Sequence, residues 1–521
     1  MTETETATAW PDDSTRTRAA GTLSLVSERA VVNLLTLLHL SITLPLAYTL
    51  NIWTDEAYTL DTTARDVAYA LRQALDFELQ APLYFVLLNL WRTASESVFF
   101  ARLFSVACIA LMLRLVVPLS RRFLPGINPC WTLGAFALHP FVVWAAIEIR
   151  LYALALLLAA TLLLLFYEAY LAEKSSRRAR VLYALVALVA LYTHYYLGFL
   201  LVANACALVA LGRWRALRSY LFWMMGVGVC FAPMLLIIKG QRATLTRDAA
   251  QTTSLLEAVK VLSWRFYDYV LPAGWTPLQF AQRWLVRFGL LCAVFVFIRE
   301  ARRSKRPAHF AVWTIATVTT LFYLVSLLLT GETLLLTRHT TVLFLPLMLL
   351  VLSTLEAIPR KSVRYGAAAV AFFFYVASLC AAYAPLAKTG DWERVARHIS
   401  AAEQSGQPVA VFRGSGALPL KHYYKGLNPL VAIPVENRFD TFRPRDEIIA
   451  DEAQLSRAFA RAPREHEYLW LVTEDACVAP GAGYNCRALE EFVEANYTVE
   501  SRRDFYRAQV RLLRRRDSQP D

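Results

Sequence analysis

Long apolar segments recur through the first three quarters of this chain, and they constrain its fold more than any other feature. Of its 521 residues, 57% are hydrophobic and only 18% are charged, whereas a soluble protein carries about 25% charged residues. Several apolar runs reach the roughly 20 residues that a helix needs to span the hydrocarbon core of a bilayer. The sequence therefore predicts an α-helical polytopic membrane protein and excludes a soluble enzyme, a disordered chain and a disulfide scaffold.

Eleven segments are predicted to cross the membrane, after a cytosolic N-terminal tail at residues 1–29. An additional apolar run at 81–94 is only about 14 residues long, which is typical of an interfacial helix rather than a span. We therefore expect it to lie on the outer surface as a juxtamembrane helix. The transmembrane domain extends over residues 30–386, and its predicted spans are 31–50, 98–119, 130–148, 151–171, 181–193, 196–212, 219–238, 285–299, 308–330, 340–357 and 365–386.

The net charge of +13 is explained by orientation in a membrane, so no nucleic-acid partner is expected. Every second loop between the predicted spans carries a basic cluster, as the positive-inside rule requires of cytosolic loops. The first outer loop, at 51–97, instead carries seven acidic and three basic residues. This pattern predicts an inner or plasma membrane protein with a cytosolic N-terminus. The clusters are Arg121/Arg122, Lys174/Arg177/Arg178/Arg180, Arg213/Arg215/Arg218, Arg299/Arg302/Arg303/Lys305/Arg306 and Arg360/Lys361/Arg364.

Residues 387–521 follow the last predicted span, and their pattern predicts a small extracytoplasmic α/β domain. The candidate strands are 408–412 and 468–473, and the candidate helices are 391–403 and 452–461. Cys477 and Cys486 lie nine residues apart in this region. In an oxidising compartment they predict a loop disulfide, and two free thiols are the alternative.

Two acidic motifs in the first outer loop are the leading candidates for chemistry. The motif TDEAYTL places Asp55 and Glu56 directly after the first span, and ELQAPLY places Glu78 and Tyr84 around the start of the short helix. Carboxylates at the end of a span are often simply solvated, which is the alternative interpretation. Because both motifs belong to one loop held at the bilayer surface, we expect their acids to share a site.

Basic and aromatic residues at other outward junctions complete the candidate site. Arg150 and Tyr152 in EIRLYAL, and Arg338 in TRHTT, are placed to bind a lipid phosphate by charge-assisted hydrogen bonds; snorkelling to headgroups is the alternative. His194 in LYTHYYLG either contributes to the site or belongs to an interfacial aromatic belt. Arg102, just inside the second span, is predicted to pair with an acid of the loop.

These motifs together resemble the GT-C polytopic glycosyltransferases. TDEAYTL after the first helix, and the E-x-x-x-P-L-Y start of a short helix, are similar to the branch that contains protein O-mannosyltransferases, aminoarabinose transferases and bacterial glycosyltransferase family 39 relatives. ARLFS, RLYAL and a late RHTT-x-x-LP segment are also similar to that branch. The resemblance covers residues 30–350 and leaves the C-terminal domain unassigned.

The resemblance implies a membrane hexosyl or pentosyl transferase that takes its sugar from a polyprenyl-phosphate donor on the non-cytosolic face. Asp55, with Glu56 beside it, would be the catalytic base, Glu78 and Arg150 would position the substrate, and Arg338 would contact the phosphate. The acceptor is a lipid, a glycan or a protein, and membrane lipids surround the chain. No cofactor is certain, and a divalent cation shared by the first two acids stays an open possibility.

A transporter or flippase for a lipid-linked or amphipathic substrate is the main alternative function. Such proteins place ionisable residues near the bilayer midplane and often interrupt helices in matching halves. In this sequence the centres of the predicted spans carry almost no charge. A non-catalytic receptor or assembly protein, the second alternative, would not need paired acids and arginines. The transferase is favoured mostly by the family resemblance; without it, the acid and arginine motifs would leave the alternatives nearly even.

Overall fold

The computed structural model describes residues 14–246, 254–273, 276–303, 307–330, 337–436, 443–462, 467–474, 477 and 483–516. It is mostly helical, and its five strands all lie in the C-terminal part. This agrees with the predicted fold class of a polytopic helical protein with a small α/β unit. The helices of the membrane region are α1 (Ser14–Thr49), α2 (Thr54–Thr62), α3 (Val67–Asp76), α4 (Leu83–Arg92), α5 (Val98–Phe123), α6 (Pro129–Ala137), α7 (Pro140–Ala146), α8 (Tyr152–Phe166), α9 (Arg177–Thr193), α10 (Leu197–Ala210), α11 (Trp214–Thr246), α12 (Leu255–Val270), α13 (Thr276–Arg303), α14 (Pro307–Thr330), α15 (Thr341–Glu356) and α16 (Lys361–Tyr383).

Each of the eleven predicted spans corresponds to a helix or a helix pair, but not all of them meet the requirements for crossing. Among the described residues, seven helices are long and apolar enough to span a membrane, and the bent pair α6–α7 raises the number to eight. Helices α9 and α10 have 17 and 14 residues, and α13 combines apolar and basic stretches. Large apolar side chains of α11, α13 and α16 are exposed, as expected for surfaces that face lipid.

The predicted interfacial run forms α4, a helix of 10 residues. At 1.5 Å per residue it extends about 15 Å, half the thickness of the hydrocarbon core. Together with α2 and α3 it folds the first loop into three short helices. Asp66 accepts a hydrogen bond from Tyr69 N at the start of α3, and Tyr84, Phe85 and Leu88 of α4 are buried.

The break between α6 and α7 bends the predicted third span by 62°. Such a break leaves carbonyl and amide groups without intrahelical partners, and in a membrane these must be satisfied by other groups. His39 Nδ1 lies 2.7 Å from the Ala137 carbonyl oxygen at the end of α6. His139 Nδ1 accepts from Phe141 N at the start of α7, and its Nε2 lies 2.8 Å from the Tyr269 carbonyl oxygen. Two buried histidines thus provide hydrogen-bond partners for backbone groups at the break in the span.

The C-terminal unit is a five-stranded sheet covered by helices on both faces. The strand order is β2-β1-β3-β5-β4; β1 pairs in parallel with β2 and β3, and β5 pairs antiparallel with β3 and β4. Side chains of α17 and α18 pack on one face, and those of α19 and α20 on the other. Both strands and both helices predicted for this region are present within a few residues. The elements are α17 (Trp392–Ala402), β1 (Val409–Phe412), α18 (Ala417–Tyr423), β2 (Leu430–Ile433), α19 (Glu452–Ala460), β3 (Tyr468–Glu474), α20 (Cys486–Asn496), β4 (Tyr497–Phe505) and β5 (Ala508–Arg515).

Helix α18 attaches this unit to the membrane region. Leu418 and Tyr423 pack against the apolar core of the helical bundle. The Tyr423 hydroxyl also accepts a hydrogen bond of 2.7 Å from Ile52 N, in the short segment between α1 and α2. The α/β unit therefore contacts the chain directly beside the TDEAYTL motif.

Candidate active site

Asp55 and Glu56 occupy the first turn of α2, where the positive end of the helix dipole favours carboxylates. Adjacent residues of a helix do not share a face, so their side chains point in different directions. The Glu56 side chain is fully buried, whereas 15% of the Asp55 side chain is exposed. The two acids that the sequence presents as a pair therefore lie in different environments.

Glu56 is held by a buried ion pair with Arg102 of α5. Arg102 Nε and Nη2 donate to the two carboxylate oxygens at 3.1 and 2.9 Å. The same guanidinium donates to the carbonyl oxygens of Ala47, Leu50 and Asn51 at the end of α1. The pairing of Arg102 with an acid of the loop, predicted from sequence, is therefore present in the structure. It connects α1, α2 and α5.

Lys388 brings a second cation to this cluster from the segment after α16. Its ammonium lies 2.9 Å from Glu56 Oε1 and 2.8 Å from Glu148 Oε1. Trp53 Nε1 donates to the other oxygen of Glu148 at 2.6 Å. Burial raises the pKa of Glu148 to about 7, although Lys388 opposes the shift. Burial would also raise the pKa of Glu56, but Arg102 and Lys388 outweigh it and hold that pKa below its ordinary value.

Asp55 pairs with Arg338, which lies in a short turn directly before α15. Asp55 Oδ2 is 2.8 Å from Arg338 Nη1, and about a quarter of the Arg338 side chain is exposed. The guanidinium also lies over the indole ring of Trp53, 5.5 Å from its centre. This ion pair is the part of the acidic cluster that remains accessible from outside the bundle.

Arg150 and Glu78 form a second buried ion pair next to Asp55. Arg150 Nη1 donates to Glu78 Oε2 and to Thr59 Oγ1, both at 2.8 Å. A longer hydrogen bond of 3.3 Å joins it to the backbone oxygen of Asp55. Burial raises the pKa of Glu78, and the positive charge of Arg150 opposes the rise. Arg150 therefore holds the backbone of α2 at Asp55, whose carboxylate is partly exposed.

The three remaining predicted site residues lie around these pairs. Tyr152 stacks on Trp144, with ring centres 5.2 Å apart, and Arg150 hydrogen-bonds to its hydroxyl. The Tyr84 hydroxyl is buried and has no hydrogen-bond partner among the described residues. His194 is buried beside Tyr196, whose ring stacks on that of His339, the neighbour of Arg338. The structure thus gathers residues from distant motifs at one end of the helical bundle, which we call the site end.

Several contacts at the site end were not predicted from the sequence. Lys388 follows the last predicted span as an ordinary linker residue, and no local pattern distinguishes it. Thr59 looks like a helix residue of no special chemistry. Glu148 was visible as part of EIRLYAL, and an acidic residue at the junction of two predicted spans was the signal that could have identified it.

Among the residues that the structure describes, no group of three or more His, Cys, Asp or Glu side chains is placed to hold a metal ion. Asp55 and Glu56 pair with different basic residues. The predicted cysteine pair is joined as a disulfide, with the Cα atoms of Cys477 and Cys486 5.3 Å apart.

The apolar helices, the short helices after α1 and the C-terminal α/β unit define a polytopic membrane protein with a GT-C-like fold. Among solved structures, the chain is similar to ArnT from Cupriavidus metallidurans in the apo state, with a TM-score of 0.57, 13% identity, and 95% and 98% of the two chains covered. The same protein bound to undecaprenyl phosphate matches with a TM-score of 0.56, 13% identity, and 96% and 100% coverage. No protein-family model and no curated protein sequence matches. The fold expected from the sequence motifs is therefore confirmed.

Proposed function

We propose that this protein is a membrane glycosyltransferase that moves a sugar from a polyprenyl-phosphate donor to an acceptor hydroxyl at the site end. The observation that carries the proposal is the partly exposed ion pair between Asp55 and Arg338. It supplies, at one accessible point, the two groups that such a transfer needs. The match to the undecaprenyl phosphate complex of ArnT supports the choice of donor.

In the proposed reaction, Asp55 removes the proton from the acceptor hydroxyl as that oxygen attacks the anomeric carbon. A bond forms between the acceptor oxygen and the sugar, and the bond between the sugar and the phosphate oxygen breaks. The electron pair leaves with the polyprenyl phosphate, whose negative charge is stabilised by Arg338. A single carboxylate on the attacking side implies direct displacement with inversion at the anomeric carbon.

The ion pair also suggests how the base becomes available. Without substrate, Arg338 neutralises Asp55 at 2.8 Å. A donor phosphate that binds Arg338 competes with the carboxylate for the same guanidinium and leaves it free to accept a proton. Glu56, which is fully buried and binds Arg102 and Lys388, has a structural role in this proposal.

We also propose that the site end faces the non-cytosolic side and that the α/β unit lies outside the cytosol. The basic clusters in every second loop between the predicted spans support this orientation, because cytosolic loops are enriched in lysine and arginine. Thiol labelling of intact cells tests it: a cysteine placed at Ala243, an exposed residue two positions after Gln241 and near the site end, should react from outside. A cysteine placed at Arg178, at the other end of α9, should react only after permeabilisation.

The decisive experiment uses purified protein, polyprenyl-phosphate donors that carry a labelled hexose or pentose, and an extract of envelope acceptors. The Asp55→Asn variant should lose about 10²–10⁴-fold in transfer rate, the usual contribution of a general base. Asp61→Asn is the matched control, because Asp61 lies on the same helix and its side chain accepts a hydrogen bond from the Tyr69 hydroxyl, away from Arg338. Undiminished transfer by Asp55→Asn would remove the assigned base, and a product of retained configuration would contradict direct displacement.

A further inference from the structure

A cavity of about 770 Å³ opens at the end of the bundle opposite the site end. It lies between the last turn of the span that begins at Tyr152, the start of α9 and the start of α11. That span has 20 residues, so the cavity and the site are about 30 Å apart along the helix axis. The described lining residues are Ala169, Tyr170, Ala172, Ser175, Arg180, Gly212, Arg213, Trp214, Arg215, Ala216 and Ser219. We call it the basic cavity.

Three arginines and two serines give the basic cavity its chemistry. None of the described residues that line it is acidic. Arg180 donates to Ser219 Oγ at 3.3 Å and to Ser175 Oγ at 2.6 Å, and Arg213 donates to the carbonyl oxygens of Tyr170 and Leu171. A guanidinium has five N–H donors, so each of these arginines is held in place and retains donors for a ligand. The lining therefore favours an anion with several acceptor oxygens.

The surroundings of the basic cavity indicate which anion would reach it. Trp214, 58% exposed, stands at the start of α11, a position typical of side chains at a membrane interface. Arg215, Ser219 and Phe222 follow one another at spacings of four and three residues, so they lie along one face of α11. Phe222 is 65% exposed. The side of the basic cavity formed by Arg215 thus continues along α11 into an apolar surface on which acyl chains can lie.

We propose that the basic cavity binds the phosphate of an anionic membrane lipid, with the phosphate between Arg180 and Arg215 and the acyl chains along α11. Basic pockets between transmembrane helices are suited to anionic headgroups. The basic residues of loops that merely orient a protein need no cavity, whereas these line an open cavity of ligand size. The site is separate from the Asp55 site, so the proposal does not depend on the assigned reaction.

The test measures the melting temperature and native mass spectrum of the full-length protein in neutral detergent, during titration with a short-chain phosphatidylglycerol. Phosphatidylcholine of the same chain length and inorganic phosphate are the comparison ligands. Phosphatidylglycerol should bind and raise the melting temperature, whereas phosphatidylcholine should not. Inorganic phosphate that protects as well as the anionic lipid would overturn the lipid as the source of the phosphate.

Substitutions of the arginines that line the basic cavity test whether phosphatidylglycerol binds there. Arg180→Gln and Arg215→Gln should each weaken phosphatidylglycerol binding about fivefold, the effect expected for one basic residue at an anionic surface. Arg178→Gln is the matched control, because Arg178 is an exposed residue in the first turn of α9, the helix that carries Arg180, and does not line the cavity. The Arg215 side chain is exposed and makes no hydrogen bond to described residues, so its substitution should leave the fold intact. Equal weakening by the control, or none by the two cavity variants, would overturn the proposal.

Discussion

The ammonium group of Lys388 lies 2.8 Å from Glu148 and 2.9 Å from Glu56, so one side chain bridges two buried acids. Lys388 belongs to the segment that leads from the last membrane helix into the α/β unit. Its backbone amide also donates to the Asn51 side chain. The C-terminal unit is thereby tied to the end of α1 and to the loop that carries Asp55.

We expect Lys388→Met to destabilise the protein by about 3–5 kcal/mol, the usual cost of removing one partner of a buried ion pair. Both acids would then be left without their shared cation. Thermal unfolding in detergent measures the effect, with Lys421→Met as the control because Lys421 is an exposed lysine of α18. An unchanged melting temperature would show that the contact contributes little.

Glu56→Gln should lower stability, whereas Asp55→Asn should mainly lower activity. The Glu56 carboxylate binds Arg102, Lys388 and the Ile149 amide inside the bundle. An uncharged amide leaves two buried cations underpaired, which we expect to cost about 3 kcal/mol or more. Melting temperature and transfer rate, measured on both variants, separate the two roles. A Glu56→Gln protein that melts normally but is inactive would assign the catalytic role to Glu56.

Glu148 should make the protein less stable as the pH rises. Its folded-state pKa of about 7 lies above the ordinary value of 4.5, so the folded state holds its proton more tightly than the unfolded state. The corresponding stability is complete below pH 4.5 and is lost as the pH rises through about 7. Glu148→Gln should flatten the melting temperature between these values. A variant with the same pH profile as the wild type would contradict the assignment.

Arg338→Gln should weaken the binding of undecaprenyl phosphate by about tenfold or more, since a hydrogen bond to a charged group contributes roughly 1.5–3 kcal/mol. The donor KM should rise accordingly, and Arg338→Lys should restore part of the affinity through its charge. Arg65→Gln is the control, because Arg65 lies over the Tyr69 ring and not at Asp55. Equal affinities for all variants would exclude a contact between Arg338 and the phosphate.

Replacing Cys477 and Cys486 by serine should destabilise the α/β unit by about 2–3 kcal/mol, the loop-closure value for a cross-link of about ten residues. Limited proteolysis of the C-terminal unit, with and without reductant, reports this change. The double variant should be cut at the same rate under both conditions, and only the wild type should respond to reductant.

Much of the fold follows from local sequence. The apolar runs predict the helices that are long and apolar enough to span a membrane, because burial of apolar surface and internal hydrogen bonding decide helix formation in a bilayer. Helix α12, which has 16 residues, was not predicted, because its segment was interpreted as part of an outer loop. The alternation and turn patterns of 387–521 predict β1, β3, α17 and α19. Strands β2, β4 and β5 were not predicted. β2 has only four residues, β4 is largely exposed, and β5 contains three arginines among its eight residues, so each depends on its neighbours in the sheet for stability.

The sequence alone determined the fold class of a helical membrane protein, and it predicted a candidate site that includes Asp55, Glu78, Arg150 and Arg338. Only the tertiary structure decided which charges pair. Neighbouring acids look equivalent in sequence, yet Glu56 points into the bundle and Asp55 toward the exposed Arg338. The reason is physical: the cost of burying a charge is met by a partner brought close in space, and distance along the chain does not reveal that partner.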